Sequence, residues 1–172
     1  MTKKRVYWYL FVHEQWRIYL GATPNGLCYV GAQNGGFEEL INWIDKNLPQ
    51  YDVEQNKSHL QSYMMQFREY FKGERCIFTF PKDLYGTDFQ LSVWHTVYSV
   101  SYGSMSSYLD ITNKLQKIKS VRAIAIAIRA NPLLIVIPCH RVNGKNGVLT
   151  NYRSGLGVKK RLITLEQNTV NK

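Results

Sequence analysis

The segment 137–142 (Ile-Pro-Cys-His-Arg-Val) places a thiol directly beside an imidazole. The apolar run 133–137 precedes the thiol and predicts that it is buried, while Pro138 fixes its own φ and carries no N–H that would need a partner. Because a free thiol is only a few per cent thiolate at neutral pH, an imidazole within reach is one of the few groups that can take its proton during attack. Cys139 is therefore the candidate nucleophile and His140 the candidate base.

A cysteine next to a histidine is weak evidence for catalysis on its own, because buried cysteines usually behave as small apolar residues. Here the pair belongs to a longer ordered set. It comprises Asn-Pro at 131–132, the apolar run, Pro-Cys-His-Arg-Val at 138–142, Gly-Val-Leu-Thr-Asn-Tyr-Arg-Ser-Gly-Leu at 147–156, Lys159, and Leu-Glu at 165–166. This set resembles the O6-alkylguanine-DNA alkyltransferase family (methylated-DNA–protein-cysteine methyltransferases), whose hallmark is Pro-Cys-His-Arg-Val. The resemblance covers residues 88 to 166, and the N-terminal half matches only in length and general character.

The resemblance implies direct repair of DNA by a protein that acts once. Cys139 would take the alkyl group from O6-alkylguanine, with His140 activating the thiol through a water molecule and Glu166 orienting the imidazole, as in a nucleophile-base-acid triad. Tyr108 would donate a proton to the purine as it leaves as an anion. Since no second thiol lies nearby in sequence to resolve the thioether, we expect one lesion per molecule. Activity on O4-alkylthymine stays open.

A base within a duplex cannot reach a buried thiol, so the nucleotide has to rotate out of the stack. The resemblance implies that the third C-terminal helix binds the minor groove and that Arg122 fills the gap left by the flipped base. Ala123 and Ala127 are small enough to approach a groove, although Ile126 is larger than the glycine often found in the family. The residues expected to contact DNA are Arg122, Tyr108, Ala123, Ala127, Arg129 and Lys145.

The loop after the nucleophile is expected to form the substrate pocket, with Val142, Thr150, Tyr152, Arg153 and Ser154 as its residues. Asn131 would brace the active-site segment by capping the preceding helix turn. Thr150 departs from the family, which often has glycine at this place. Because a β-branched side chain narrows both the pocket and the allowed backbone conformations, Thr150 predicts good reaction with O6-methylguanine and poor reaction with O6-benzylguanine.

The charge of the chain is concentrated in its C-terminal half. Residues 1–82 contain ten Lys and Arg against eight Asp and Glu, and residues 83–172 contain twelve against four, so the formal net charge of +10 divides as +2 and +8. This asymmetry favours a polyanionic partner, and double-stranded DNA with alkylated bases is more consistent with it than a membrane, because no long apolar span accompanies the charge. We expect a monomer.

The composition indicates neither a cofactor nor a metal. No phosphate-binding glycine loop joins a strand to a helix, and the cysteines and histidines of the N-terminal half lack metal-site spacing, although some family members carry zinc there. The three cysteines are odd in number and form no Cys-x-x-Cys pair, which is typical of a reducing cytoplasm. The basic residues 3–5 before the apolar run 6–12 only faintly imitate a signal peptide, and we interpret 7–12 as a strand.

Hydrophobic periodicity predicts an α+β fold of two domains, 1–82 and 83–172. The N-terminal domain is expected to have strands at 7–12, 16–20, 26–31 and 76–80, helices at 37–47 and 60–71, and a linker at 81–86. The C-terminal domain is expected to be helical, with a helix capped by Asp88, a second at 107–115 and a third at 120–130. The third helix buries Val121, Ile124, Ala125 and Ile128 and turns Arg122, Ile126 and Arg129 outwards. The resemblance implies an RNase H-like first domain and a winged helix-turn-helix second domain.

Three other functions compete with this interpretation. An alkyltransferase-like lesion sensor would bind flipped bases without reacting, but such proteins lack the cysteine present here. A winged-helix transcription regulator would explain the basic third helix, yet would leave Cys139, His140 and Glu166 without a purpose. A Cys-His hydrolase would need an oxyanion hole and usually an Asn or Asp partner, and it would not explain the basic charge.

Overall fold

A four-stranded sheet begins the chain in the computed structural model, which describes residues 2–116 and 120–172. Its strands are β1 (Arg5–His13), β2 (Trp16–Thr23), β3 (Gly26–Val30) and β4 (Asp52–Gln55), in the order β3-β2-β1-β4. The first three strands pair antiparallel, whereas β4 runs parallel to β1. Strand β2 alternates buried and more exposed residues along its first half, which is the pattern of a strand with one face on the core.

Two helices accompany this sheet. Helix α1 (Phe37–Asn47) buries Leu40 and Ile44, which join Val6 and Tyr29 in one apolar cluster. Helix α2 (Lys57–Phe71) begins at Asn56, whose side chain accepts a hydrogen bond of 2.9 Å from the backbone N–H of His59. Helix α2 therefore starts before the residue 60 expected from apolar spacing, because a capping side chain fixes its first turn.

The segment 76–80 is not a strand, contrary to the prediction. It runs as irregular backbone in which Phe78 and Phe80 are buried, and Gln66 holds it through two hydrogen bonds of 2.9 Å with Thr79. Hydrogen bonds from the Gln66 side chain thus take the place of the backbone hydrogen bonds that a strand would form with a neighbouring strand. Strand β4, conversely, was not predicted. Most of its residues are exposed and polar, so its sequence lacks the apolar pattern of a buried strand.

The chain divides into two units, Met1–Tyr85 and Gly86–Lys172, rather than after Lys82. Residues 83–85 belong to the first unit because both backbone polar groups of Leu27 form hydrogen bonds with the segment 81–83. Its N–H donates to the Pro81 carbonyl at 3.0 Å, and its carbonyl accepts from the N–H of Asp83 at 2.8 Å.

The second unit contains three mutually packed helices, α3 (Asp88–Tyr98), α4 (Tyr108–Leu115) and α5 (Val121–Arg129). Helix α3 is capped by Thr87 and not by Asp88, because Thr87 and Gln90 form a reciprocal capping box. Inside the cluster, the indole N–H of Trp94 donates to the Ala127 carbonyl at 2.8 Å. The mixed α+β class predicted from the sequence is confirmed.

The remaining elements surround the Cys-His motif. Single 3-10 turns span Cys139–Arg141 and Lys145–Gly147, the short strands β5 (Ser106–Ser107) and β6 (Val142–Asn143) pair in parallel, and helix α6 (Leu156–Val170) closes the chain. Within the described ranges, none of the helices is long and apolar enough to cross a membrane.

Candidate active site

Asn131 holds the segment that carries the thiol. Its side-chain oxygen accepts from the N–H of Leu133 at 2.9 Å, and its amide donates to the Ile137 carbonyl at 2.9 Å and to Cys139 Sγ at 3.3 Å. The expected capping of the preceding helix is therefore wrong. The Asn131 side chain braces the turn that follows helix α5, because all of these partners lie C-terminal to it.

The apolar run between Asn131 and the thiol contains a backbone conformation rarely adopted by branched residues. Ile135 has φ +73°, in the left-handed region, where a β-branched side chain costs roughly 1–3 kcal/mol. The cost is tolerated because residues 133–137 are all buried and the N–H of Ile137 bonds back to the Leu133 carbonyl at 2.9 Å. The chain therefore reverses its direction within residues 133–137, which brings Cys139 within hydrogen-bond distance of the Asn131 side chain.

Behind the thiol, His140 belongs to a buried network centred on Glu166. The Nε2 atom of His140 lies 2.7 Å from Glu166 Oε1, and Arg141 donates to the same carboxylate from Nε at 2.8 Å and from Nη2 at 2.9 Å. A third Arg141 nitrogen donates to the Val100 carbonyl at 2.6 Å. The carboxylate is thereby paired with a bidentate guanidinium, the strongest common arrangement for such a pair.

These contacts and burial shift the pKa values of Glu166 and His140. Burial by itself raises the pKa of Glu166, but the hydrogen bonds from His140 and Arg141 outweigh burial and lower the pKa to about 2. Burial lowers the pKa of His140, although Glu166 opposes that shift. At neutral pH the site therefore holds a charged carboxylate and a neutral imidazole. The Nδ1 atom of that imidazole is buried and has no hydrogen-bond partner among the described residues.

The thiol of Cys139 is not a preformed thiolate. Burial raises its pKa, and the Asn131 amide and the charges of Arg153 and Lys159 oppose this shift without cancelling it. A neutral buried thiol needs a base at the moment of attack. The adjacent neutral imidazole can serve as that base.

Lys159 is a buried cation to which the sequence pattern assigns no role. It is completely enclosed, and its Nζ donates to the Val142 carbonyl at 2.7 Å and to the Thr150 carbonyl at 3.4 Å. Burial lowers its pKa to about 8, and Cys139 opposes this shift only in its thiolate form. The lysine therefore ties both ends of the loop 142–150 together and places a positive charge near the thiol.

Helical spacing could have identified this lysine from the sequence. Lys159, Leu162, Ile163 and Glu166 are the buried residues of helix α6 and follow the i, i+3, i+4, i+7 pattern of one face. Two charged residues on an apolar face are the signal, because charges are rarely buried without partners. Arg141 is the other site residue that was not predicted, although it lies within the Pro-Cys-His-Arg-Val motif.

A small cavity of about 20 Å³ opens beside the thiol. It is lined by Tyr108, Ala125, Ile128, Arg129, Leu134, Cys139, Asn151, Tyr152 and Arg153. The predicted pocket residues Val142, Thr150 and Ser154 are not among these described lining residues. The volume has room for about one water molecule, so a purine can enter only if the lining moves.

The hydroxyl groups of Tyr108 and Tyr152 differ in their surroundings. Tyr108 begins helix α4, and its hydroxyl lies 2.7 Å from Thr150 Oγ1. Tyr152 is half-buried, and its hydroxyl oxygen is buried without a hydrogen-bond partner within the described part of the chain. Burial raises the pKa of Tyr152 well above its usual value, so this phenol stays neutral.

Helix α5 presents the expected basic face to solvent, but one of the two alanines predicted to contact DNA is buried. Arg122, Ile126 and Arg129 are exposed and Ala123 is half-buried, but Ala127 is only 3% exposed and cannot contact DNA, because it packs towards Trp94. Val121, expected in the core, is 42% exposed instead. The buried face consists of Ile124, Ala127 and Ile128.

Lys145, the last predicted DNA contact, is exposed on the second 3-10 turn. It borders an open groove of about 460 Å³ together with Tyr108 and Val121. Tyr108 lines both the groove and the smaller cavity, which Cys139 also lines.

Comparison with known proteins agrees with a thiol acceptor of this kind. The model of the 6-O-methylguanine DNA methyltransferase DNA-binding domain matches residues 88–168. The chain is 42% identical over 166 residues to the inducible methylated-DNA–protein-cysteine methyltransferase of Bacillus subtilis, covering 96% of this chain and 93% of the relative. It is 39% identical over 155 residues to the methyltransferase of Methanosarcina barkeri, covering 89% and 92%.

A solved structure of Mycobacterium tuberculosis O6-methylguanine methyltransferase superposes with a TM-score of 0.80 at 27% identity, covering 95% of this chain and 94% of that chain. A crystal structure of the M. tuberculosis protein in complex with DNA matches equally well. Since a relative with 42% identity spans nearly the whole length, the chain belongs to the methylated-DNA–protein-cysteine methyltransferase family.

Proposed function

We propose that the protein repairs DNA by moving the alkyl group of O6-alkylguanine to Cys139 Sγ, once per molecule. The observation that carries this proposal is the adjacency of a buried thiol, held by Asn131, to a neutral imidazole bonded to a charged Glu166. Each group has the protonation state that the reaction requires before it begins.

In the proposed reaction each of these groups has one task. His140 Nδ1 takes the thiol proton through a water molecule, and Glu166 stabilises the resulting imidazolium. The thiolate attacks the alkyl carbon, the bond from that carbon to guanine O6 breaks, and its electron pair stays on the purine. Tyr108, which lines the cavity, gives its proton to the purine ring. Arg141 keeps Glu166 ionised and oriented throughout.

Binding of the duplex is assigned to the second unit. The formal charge of +8 on residues 83–172, the exposed Arg122 and Arg129 of helix α5 and the exposed Lys145 support this assignment. In the proposal, α4 and α5 act as a helix-turn-helix, with a wing, that enters the minor groove, and Arg122 replaces the flipped nucleotide. We further propose an RNase H-like first unit, a monomeric protein and a reducing cytoplasmic setting, since Cys28, Cys76 and Cys139 are all free thiols.

The proposal is tested by the intact mass of the protein after mixing with a duplex that contains one O6-methylguanine. We expect a gain of one CH2 group per molecule, saturating at one equivalent of lesion, and peptide mapping should locate it on Cys139. Cys139→Ser should bind the same duplex without gaining mass, whereas Cys76→Ser, which removes an exposed thiol, should react as the wild type does. Retained binding with no mass gain in the wild type would instead indicate a lesion sensor or a regulator.

A further inference from the structure

Thr150 contacts Tyr108 across 42 residues of sequence. Its Oγ1 lies 2.7 Å from the tyrosine hydroxyl, and either oxygen can be the donor. The methyl group of Thr150 faces Gly144, where a β-carbon, if one were present, would lie 3.1 Å from it. The backbone carbonyl of Thr150 accepts from Lys159. The threonine is therefore held at its hydroxyl and carbonyl groups.

The other end of this contact is equally well fixed. Tyr108 is the first residue of helix α4, where Ser107 and Asp110 form a reciprocal capping box with bonds of 3.0 Å. Its ring lines the cavity that contains Cys139. The hydrogen bond thus joins the start of a helix to the loop that follows the nucleophile.

We propose that Thr150 positions Tyr108 for proton donation. Its hydroxyl holds the phenol at the cavity in the free protein and then donates to the phenol oxygen as Tyr108 gives its proton to the purine. This inference rests on the proposed function. A hydroxyl suits both tasks because it can accept in one state and donate in the next. A side chain of the same shape without a hydroxyl leaves the phenol oxygen without this partner.

This role differs from the steric one expected from the sequence. A purely steric Thr150 would act through its volume, and valine would preserve that effect. A positioning Thr150 acts through its hydroxyl, so valine removes the effect and serine restores it. The pair Thr150→Val and Thr150→Ser therefore separates the two explanations.

The test is single-turnover transfer from an O6-methylguanine duplex, measured over a range of DNA concentrations so that the affinity and the transfer rate are obtained separately. We expect Thr150→Val to lower the transfer rate at saturating DNA by about tenfold, as for one hydrogen bond lost in the transition state. Its affinity for DNA should not change. Thr150→Ser should recover most of the rate.

The second arm places Thr150→Val in a Tyr108→Phe background. If Thr150 acts through Tyr108, valine should cause no further loss there, because the phenol that it positions is gone. An equal loss in both backgrounds, a valine variant as fast as the wild type, or a serine variant as slow as valine would overturn the inference. Failure of the proposed function would look different, since the wild type itself would then not gain mass on Cys139.

Discussion

The imidazole of His140 and the carboxylate of Glu166 meet at 2.7 Å, and both side chains are fully enclosed. Arg141 approaches the same carboxylate from a second direction with two hydrogen bonds. Removing one partner of a buried ion pair leaves an uncompensated charge, which usually costs about 3–5 kcal/mol. The network is therefore tied to stability as well as to the chemistry proposed for the thiol.

Glu166→Gln should slow alkyl transfer by about 100-fold, within the range of general-base effects, because the imidazolium formed during attack loses its counter-charge. The rate should be measured in a single turnover at a temperature where circular dichroism shows the variant folded. Gln167→Ala, an exposed neighbour on the same helix, is the matched control and should react normally. An unchanged rate in Glu166→Gln would remove the carboxylate from the mechanism.

The same carboxylate predicts how stability depends on pH. The pKa of Glu166 falls from 4.5 to about 2 on folding, so its contribution is complete above pH 4.5 and is lost as the pH falls towards 2. His140, whose pKa is lowered from 6.5, contributes stability above that value and loses it at lower pH. The stability difference between wild type and Glu166→Gln should therefore shrink from pH 4.5 downwards.

Hydrogen exchange of peptides from helix α6 measures the stability difference between wild type and Glu166→Gln in the second unit of the chain. The exchange rates are first corrected for the intrinsic effect of pH. Peptides from strands β1 and β2 in the same sample provide the reference, since the first unit does not contain Glu166. A difference that stays constant down to pH 2 would mean that the protonation of Glu166 is not linked to folding.

The sequence predicts the chemical groups of this site better than the contacts that hold them. Cys139, His140 and Glu166 follow from residue type and motif, and helices α1 and α5 follow from apolar spacing. The role of Asn131 was misassigned, because a side-chain amide can cap a helix or span a turn with the same local sequence. The contact between Thr150 and Tyr108 is long-range, and no local pattern specifies it.

Lys159→Met should lower the transfer rate by about tenfold, because it removes both the positive charge near the thiol and the tie between the ends of the loop 142–150. Since the pKa of Lys159 is about 8, the lysine is charged below that pH and loses its charge above it. We expect the ratio of wild-type to variant rates to fall as the pH rises through 8.

Single-turnover rates with O6-methylguanine as the free base, on either side of pH 8, measure this ratio without titrating DNA contacts. Lys160→Met, which removes the exposed neighbouring charge, is the control and should keep the wild-type profile. A ratio independent of pH would show that Lys159 acts only through its hydrogen bonds.

Arg122→Ala should reduce repair of duplex DNA by about tenfold or more, because base extrusion costs a few kcal/mol that the finger helps to offset. Reaction with the free base needs no extrusion and should be unaffected. Arg122→Lys keeps the charge and should keep most of the affinity for DNA, although its reaction with duplex should stay slow. Equal losses of rate on duplex and free base would contradict the finger.

Thr150→Gly should raise the reactivity towards O6-benzylguanine relative to O6-methylguanine. The loop that carries Thr150 also carries Asn151 and Tyr152, which line a cavity of about 20 Å³, so the loop must move further for a larger substituent. Glycine removes the side-chain contact with Tyr108 and widens the backbone conformations that the loop can adopt.

The ratio of the two second-order rate constants isolates this size effect. In the proposed mechanism both substrates take a proton from Tyr108, so loss of that hydrogen bond slows both reactions and cancels in the ratio. A change of about 1.4 kcal/mol in the difference between the two barriers would appear as a tenfold change in the ratio. Thr150→Val preserves the volume and branching of the side chain and should leave the ratio at its wild-type value. If glycine and valine shift the ratio equally, the hydroxyl and not the bulk of Thr150 sets the preference for small alkyl groups.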